Sequence, residues 1–288
     1  MDTKLGLALG ACVLTACAGG FAQENMAEHM PPKVLAVTRE FTKPGKNGMS
    51  HEKTESVFVK AMTKAKWPTH YLAVESLSGK PRVLFLTGYD SFEAWEKDMK
   101  AEEKNEALSA ELDRANVADG ELLSGMDQSA EIFRKDLSLR PEVDIAHMRY
   151  FEISRVQVKQ GHDKDWEALV KMYQSGFEKI PEAHWVVYQS QYGHEDGTYI
   201  IFTPMKSAAE IDSEFGEWPK FTAAMGDDGM KKLNELTAAT VESSETNLFA
   251  FNPKMSYVGE DWIKADPDFW KSKPAAEAKP AAKKPAAQ

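Results

Sequence analysis

The chain has almost no cysteine: of its 288 residues only Cys12 and Cys17 are cysteines, and both lie near the N-terminus. The remaining sequence therefore offers no thiol nucleophile, no thiolate metal ligand and no disulfide. A body without disulfides must be held together by its hydrophobic cores. The composition, 42% hydrophobic and 28% charged residues, is typical of a globular protein, and the length suits about two domains.

Several catalytic motifs are also missing. The sequence contains no glycine-rich dinucleotide or phosphate loop, no Gly-x-Ser-x-Gly elbow and no His-Glu-x-x-His pair. His51-Glu52 lacks the second histidine of a zinc helix, and residues 227–229 lack the spaced carboxylates of a calcium loop. We therefore predict no metal site, no cofactor and no identifiable catalytic residue, while small cofactor-free enzymes stay open.

The N-terminal segment is typical of an exported protein. Its apolar run, residues 5–16, is as long as a signal-peptide core and too short to span a membrane. Small residues predict cleavage after Ala22, so that residues 1–22 form a signal peptide. Alternatively, Leu-Thr-Ala before Cys17 resembles a bacterial lipobox, in which Cys17 is lipidated. The first alternative predicts a periplasmic or extracellular protein, and the second a lipid-anchored envelope protein.

The C-terminal tail, residues 271–288, repeats lysine, proline and alanine without any large apolar side chain. Five lysines and one glutamate give the tail a charge of +4, so the other residues carry −14 of the net −10. This composition predicts an extended, disordered tail. The tail is either merely solvated or a contact to an anionic envelope surface. The acidic body argues against nucleic acid as a partner.

Two parts of the chain are similar to each other. Residues 38–45 (TREFTKPG) align with 154–161 (SRVQVKQG), 70–76 (HYLAVES) with 184–190 (HWVVYQS), and 85–87 (FLT) with 201–203 (IFT). The offsets are 116, 114 and 116 residues. Matches in the same order at nearly constant spacing predict an internal tandem repeat. We expect the first repeat over residues 33–137 and the second over 145–253.

Each repeat reads strand, helix, strand, strand, helix, strand, which is the ferredoxin-like βαββαβ order. Residues 83–86 and 199–202 are apolar at every position, so both faces of these strands need cover. We therefore predict an α+β fold in which two tandem ferredoxin-like units pack sheet to sheet within one chain as a barrel. Aromatic residues of a C-terminal extension, residues 254–270, are expected either to pack on this body or to form an exposed docking patch.

By this element order and duplication, residues 33–253 resemble the dimeric α+β barrel superfamily, in particular its NIPSNAP-like and antibiotic-biosynthesis-monooxygenase-like branches. In that superfamily two units pair sheet to sheet, and ligands lie between sheet and helices or inside the barrel. The resemblance implies that this chain makes within itself the pairing that single-copy relatives make by dimerising. Some relatives bind haem, but no residue here stands out as an axial ligand.

Residues that recur in both repeats are the predicted ligand-binding residues. His70 and His184 begin the second strand of each repeat, beside Tyr71 and Trp185. A histidine beside a stacking ring in a cleft can orient a ligand or transfer a proton. Alternatively, each histidine hydrogen-bonds a loop carbonyl and has a structural role.

Arg39 and Arg155 also recur, on strand faces that are otherwise apolar. A guanidinium in such a place requires an anionic partner. We expect either a carboxylate on a covering helix or on the other repeat, or the carboxylate of an anionic ligand held in bidentate fashion.

The sequence favours a protein that binds a small molecule in a cleft of the barrel. The alternatives are a cofactor-independent oxygenase or isomerase that uses His70 or His184 for proton transfer, and a structural module without a ligand. A cavity lined by Arg155, His184 and Trp185 would support the first two functions, and a filled interior would support the third.

Overall fold

The structure is a computed structural model that describes residues 30–271. Eight strands form a closed antiparallel barrel in the order β1-β3-β2-β8-β5-β7-β6-β4. The strands are β1 Val34–Thr42, β2 Tyr71–Ser76, β3 Arg82–Tyr89, β4 Leu123–Phe133, β5 Tyr150–Val158, β6 Val186–Tyr192, β7 Thr198–Met205 and β8 Val241–Phe251. The predicted cleavage after Ala22, the alternative lipidation of Cys17 and the contacts predicted for the tail lie outside the described residues.

Helices cover the outside of the barrel. They are α1 Met49–Ala65, α2 Phe92–Lys104, α3 Glu106–Gly120, α4 Asp163–Phe177, α5 Ala209–Thr240, α6 Glu260–Ala265 and α7 Pro267–Trp270, with single 3-10 turns at Lys135–Leu137 and Ile145–His147. The long helix α5 is kinked at Gly226, whose backbone is not helical. Within residues 30–271, no helix has the length and apolar character needed to cross a membrane.

The two halves of the barrel have the same topology. In the first half β4-β1-β3-β2 are neighbours, and in the second half β8-β5-β7-β6. Each half has the βαββαβ order of a ferredoxin-like unit, with the second helix of the first half divided into α2 and α3. Registers match too, because Arg39 lies opposite Leu84 and Arg155 opposite Ile200, an offset of 116 residues in both strands. The predicted α+β barrel of two ferredoxin-like units is confirmed.

Two short seams join the halves. At the first seam Val74–Ser76 of β2 pairs with Phe249–Phe251 of β8, and at the second β4 pairs with β6. These pairings close the barrel, while residues 123–129 of β4 and 241–247 of β8 extend beyond the seams and pair on one side only.

Side chains fill the barrel interior. The apolar strands predicted to need cover on both faces have it, since Leu84 and Leu86 face the interior while Val83 belongs to a cluster outside it. The interior cluster consists of Leu35, Val37, Leu72, Val74, Leu84, Leu86, Met148, Phe151, Ile153, Val186, Tyr188, Ile200, Phe202, Phe249, Phe251 and Trp270.

The C-terminal segment covers one end of this interior. Trp270 is only 4% exposed and packs near the ring of Phe251. Its Nε1 donates a hydrogen bond of 2.8 Å to the carbonyl oxygen of Ala146. Trp262 and Phe269 pack beside it. Of the two sequence-based alternatives for these aromatic residues, packing on the body is therefore the one observed.

Candidate functional site

Each half of the barrel has a region between the outer face of its sheet and its covering helices. We call these regions the first cleft and the second cleft. The second cleft contains a cavity of about 330 Å³. Its lining is mainly aliphatic and aromatic: Ser154, Val156, Trp166, Leu169, Val170, Tyr173, Phe177, Trp185, Val187, Ile201, Thr203, Thr237, Val241 and Ser244.

Helix α4 provides one wall of the second cleft. It begins beside Gly161 and places Trp166, Val170, Tyr173 and Phe177 at steps of three and four residues, so that they share one face of the helix. Strands β5 and β7 provide the opposite wall with side chains that point away from the filled interior. The cleft is therefore built from one helical stripe and one sheet face.

One polar group of this lining has no partner in the protein. Trp166 is 4% exposed, and its indole Nε1 makes no hydrogen bond. By contrast, Nε1 of Trp185 donates to the carbonyl oxygen of Leu137 at 2.9 Å. Burial raises the pKa of Tyr173, with a hydrogen bond to Thr237 acting against it. A buried N–H without an acceptor costs free energy unless a ligand or water accepts from it.

The first cleft holds a group of ionisable residues, which we call the acid–histidine cluster: Glu40, His51, Glu55 and Asp119. His51 is 1% exposed, and its Nε2 lies 3.0 Å from Oε2 of Glu40, 3.5 Å from Oδ1 of Asp119 and 3.8 Å from Oε1 of Glu55. The residues come from β1, α1 and α3. Sequence analysis missed them; the available signal was His51 and Glu55 at i and i+4 on the buried face of α1.

Protonation in the acid–histidine cluster is strongly displaced. Burial acts to lower the pKa of His51, but hydrogen bonds to Asp119 and Glu40 and nearby carboxylate charge outweigh it and raise this pKa to about 10. Burial, together with the charges of Glu40 and Asp119, raises the pKa of Glu55 to about 9. Burial likewise raises the pKa of the Tyr71 hydroxyl, with further contributions from Glu55 and Glu40.

The two clefts occupy equivalent places in the fold. Glu40 lies opposite Val83 and Val156 opposite Tyr199, so Glu40 and Val156 hold the same register position. Tyr71 lies opposite Thr87 in the first half. In the second half the register of β6 and β7 places Trp185 beside Thr203, so Tyr71 and Trp185 are also equivalent.

The helices show the same correspondence. Buried positions of α1 are residues 51, 55 and 61, and buried positions of α4 include 166, 170 and 176, a constant offset of 115. Asp119 and Thr237 each precede the closing strand of their half by four residues. The acid–histidine cluster and Tyr71 thus correspond to Val156, Trp166, Val170, Trp185 and Thr237, all of which line the second cleft.

The recurring arginines do not reach either cleft. Arg39 lies on the interior-facing register of β1, forms an ion pair with Asp127 and donates to Oγ of Ser129 at 2.8 Å. Its Nη1 is also 3.0 Å from Nε2 of His194. The expected carboxylate therefore comes from the neighbouring strand β4 of the same half, and the expectation of a covering helix or the other repeat was wrong. Apolar side chains fill the middle of the barrel interior. The ion pair of Arg39 with Asp127 therefore lies at one end of the interior.

Arg155 has the matching position in the second half, opposite Glu245 on β8. His194 lies beside Arg39 at this end of the barrel and close enough to Arg155 to be affected by its charge. Its burial lowers its pKa to about 4, and the positive charges of Arg39 and Arg155 act in the same direction. These side chains form a polar end of the barrel, remote from the end that Trp270 covers.

The two recurring histidines have mainly structural surroundings. Nδ1 of His184 lies 2.7 Å from the carbonyl oxygen of Glu182, and Nε2 lies 2.8 Å from that of Pro204. His70 packs on the ring of Tyr257 with 4.8 Å between ring centroids, and burial lowers its pKa. Of the trio Arg155, His184 and Trp185, only Trp185 lines the second cleft. The structure does not bring the three together.

Comparison with solved structures supports the fold. A candidate monooxygenase from Fusobacterium nucleatum is similar with a TM-score of 0.50 and 12% identity, over 77% of this chain and 93% of that chain. An anthrone oxidase-like protein has a TM-score of 0.48 and 18% identity, over 76% and 92%. A heme-binding protein from Thermus thermophilus has a TM-score of 0.43 and 14% identity, over 82% and 98%.

At these identities the likeness concerns the fold alone. No protein-family model matches the chain, and no curated protein matches it. The fold expected from the sequence, an α+β barrel, agrees with the likeness to the Fusobacterium nucleatum protein.

The residues present do not fit a haem group. The lining of the second cleft includes no histidine, cysteine or methionine as an axial ligand, and burial raises the pKa of its one tyrosine, Tyr173, which disfavours the phenolate that would bind iron. In the first cleft, Nε2 of His51 is already surrounded by three carboxylates. Neither cleft, as far as residues 30–271 describe it, is arranged to hold a haem iron.

Proposed function

We propose that this chain is an exported protein that binds a small, uncharged, ring-containing molecule in the second cleft. The observation that carries the proposal is the aromatic cavity of about 330 Å³ whose buried Trp166 N–H lacks an acceptor. Its volume lies in the range of small-molecule sites, roughly 300–1,000 Å³. Apolar walls with one or two directed polar groups are characteristic of such sites.

The lining indicates the class of ligand. Four aromatic side chains, Trp166, Tyr173, Phe177 and Trp185, offer ring faces and edges for stacking. No charged side chain is in the lining, and an ionic group placed there would lose hydration without a partner. A carbonyl, ether or ring nitrogen of the ligand could accept from Nε1 of Trp166. The expected ligand is thus a neutral aromatic or polycyclic molecule with one acceptor.

Two further parts of the proposal rest on sequence and topology. We propose that the halves are a fused tandem pair of NIPSNAP-like or antibiotic-biosynthesis-monooxygenase-like units. The equal strand order and the matched registers of the two halves support this proposal.

We propose export by the leader, with cleavage after Ala22 or lipidation of Cys17, and an envelope contact through the cationic tail. The enzyme alternative has less support, because neither His70 nor His184 lines the second cleft.

Binding can be tested with N-phenyl-1-naphthylamine, a neutral fluorescent probe of two aromatic systems. A Thr203→Phe variant places a ring inside the second cleft, and Thr87→Phe is the matched control at the equivalent position of the first half. We expect saturable binding to the unmodified chain, at least about tenfold weaker binding to the Thr203→Phe variant, and retained binding to the control. Thermal unfolding followed by circular dichroism verifies that both variants are folded.

Absence of saturable binding to the folded chain, or equal affinity of both variants, would contradict the proposed site. Native mass spectrometry of protein purified from its own envelope tests the same proposal without a probe, because a retained neutral molecule gives the ligand class. The intact mass from that measurement also distinguishes cleavage after Ala22 from lipidation of Cys17.

A further inference from the structure

We propose that the acid–histidine cluster of the first cleft, Glu40, His51, Glu55 and Asp119, binds one divalent first-row transition-metal cation, for which Mn²⁺ is the reference. This site is separate from the second cleft. It would make the chain a metal-binding protein in its first half and a binder of apolar molecules in its second.

The geometry of the four residues suits a single ion. One potential ligand atom from each residue can be chosen so that all four lie within 4.8 Å of one another. Ligand atoms on opposite sides of one cation are separated by about 4.2 Å, which is twice a metal–ligand distance of about 2.1 Å. If the most widely separated pair binds on opposite sides of the ion, those two atoms need to approach each other by at most about 0.6 Å to enter one coordination sphere.

An unpartnered atom points independently to a ligand. Glu55 is 3% exposed, and its Oε1 has no hydrogen-bond donor in the protein. The hydroxyl of Tyr71, which is buried and close enough for the charges of Glu55 and Glu40 to raise its pKa, also lacks a partner. Buried polar atoms are normally paired, and one explanation of an unpaired atom is a missing ion.

Charge balance leads to the same conclusion. Three carboxylates from β1, α1 and α3 face one another, and β2 contributes only the neutral Tyr71 hydroxyl. Among the described residues, the one basic side chain within ion-pair distance of these carboxylates is His51. With His51 as the one basic partner, buried negative charge of this kind is costly unless the carboxylates take up a proton or a further cation. A divalent ion at the centre would displace the protons held by His51 and Glu55 and would then be attracted by all three carboxylates at once.

The donor set selects the class of metal. Three carboxylate oxygens and one imidazole nitrogen combine ligands that suit Mn²⁺ with one that suits Fe²⁺ and Zn²⁺. A mixed set with nitrogen is less typical of Mg²⁺ or Ca²⁺, which take oxygen ligands. Oγ of Thr54 donates to Oδ1 of Asp119 at 2.5 Å, and such outer hydrogen bonds orient metal-ligating carboxylates.

The test uses the full chain after chelator treatment. Isothermal titration with MnCl₂, and separately with ZnCl₂ and MgCl₂, gives stoichiometry and affinity. We expect one Mn²⁺ per chain, at least about tenfold weaker Mg²⁺ binding, and a higher melting temperature with Mn²⁺. Glu55→Gln should weaken Mn²⁺ binding at least about tenfold. The matched control is Glu52→Gln, because Glu52 lies on the same helix and pairs with Lys254 instead.

A direct signature keeps the proposal testable if Glu55→Gln fails to fold. Electron spin-echo spectroscopy of the Mn²⁺-loaded unmodified chain should show coupling to the ¹⁴N nucleus of His51. No Mn²⁺ or Zn²⁺ uptake by the folded chain would overturn the proposal and leave the cluster as a proton-sharing ion pair. Uptake without ¹⁴N coupling, or equal affinity of the Glu55→Gln and Glu52→Gln variants, would also overturn it. None of these results bears on probe binding in the second cleft.

Discussion

Glu40 and Val156 occupy the same position in the two halves of the barrel, yet Glu40 accepts a hydrogen bond in a buried ionic cluster and Val156 lines an apolar cavity. Their partners across the sheet, Val83 and Tyr199, are also equivalent. The same backbone frame thus supports two chemically opposite clefts. Ligand specificity must therefore reside in the side chains that line each cleft, and the function of one half cannot be inferred from that of the other.

Trp185 and His184 should behave differently, although they are adjacent. We expect Trp185→Leu to weaken binding of N-phenyl-1-naphthylamine several-fold, because it removes a ring from the lining of the second cleft. His184→Ala should leave the affinity unchanged and lower the free energy of unfolding by about 1–3 kcal/mol, since two carbonyl contacts are lost. Fluorescence titration and urea unfolding measure the two effects. A large loss of affinity in the His184→Ala variant would show that His184 contributes to ligand binding after all.

His194 should make the protein sensitive to mild acid. Its pKa is lowered in the folded state to about 4 from an ordinary value of 6.5. Because the unfolded chain then binds the proton more readily, the stability contributed by neutral His194 is present above pH 6.5 and is lost as pH falls towards 4. A His194→Gln variant should lose less stability between pH 7 and pH 4.5 in urea unfolding. His162→Gln, on the exposed start of α4, is the control and should follow the unmodified chain.

Two glycines of the second half should respond oppositely to alanine. A methyl group at Gly176 would lie 2.2 Å from the buried ring of Phe221, whereas one at Gly216 meets nothing within 4 Å. We expect Gly176→Ala to destabilise the fold by about 1–3 kcal/mol through overpacking. Gly216→Ala in the exposed helix should stabilise it by about 0.5–1 kcal/mol. Thermal unfolding of both variants tests the packing of α4 against α5. If Gly176→Ala raised the melting temperature, the contact between Gly176 and Phe221 would have to be less tight than described.

Closure of the barrel by the C-terminal segment should contribute measurable stability. Trp270 is 4% exposed, whereas Trp218 on α5 is 48% exposed. Replacement of the buried residue, Trp270→Ala, should cost about 3–5 kcal/mol because it removes a large side chain from the interior cluster. Trp218→Ala should cost much less. If urea unfolding gave similar losses for both variants, Trp270 would not be part of the core.

The sequence was informative about the fold because repeat and strand patterns reflect local chain geometry. Apolar residues at every position of 83–86 and 199–202 required cover on two sides. The structure provides it by the interior on one side and, on the other, by the C-terminal segment at Met255 in the first half and by helix residues such as Trp166 in the second. The full length of the closing strands is not evident from the sequence. Their first halves, in β4 from Leu123 and in β8 from Val241, are polar and exposed, so hydrophobic patterning does not reveal them.

The sites were harder to predict, since they depend on contacts between distant segments. Trp185 recurs beside a strand start, and its position in the second cleft follows from the repeat. The acid–histidine cluster joins Glu40, His51 and Asp119 across about eighty residues of chain, and no spacing rule connects them. Recurrence also led to the choice of Arg39 and Arg155 as ligand-binding residues, because a duplication preserves structural residues, such as Arg39 in its ion pair with Asp127, as readily as binding residues.

Strand pairing around the whole barrel limits how this molecule can associate with others. Sheet proteins with an exposed outer strand can recruit a peptide or a second copy by backbone hydrogen bonding. Here the seams β2–β8 and β4–β6 use those backbone groups at residues 249–251 of β8 and 130–133 of β4, whereas the exposed first halves of β4 and β8 pair on one side only. An added strand could therefore pair only along these short exposed halves, and over the rest of the described barrel a partner must recognise side chains, unless one of the seams breaks first.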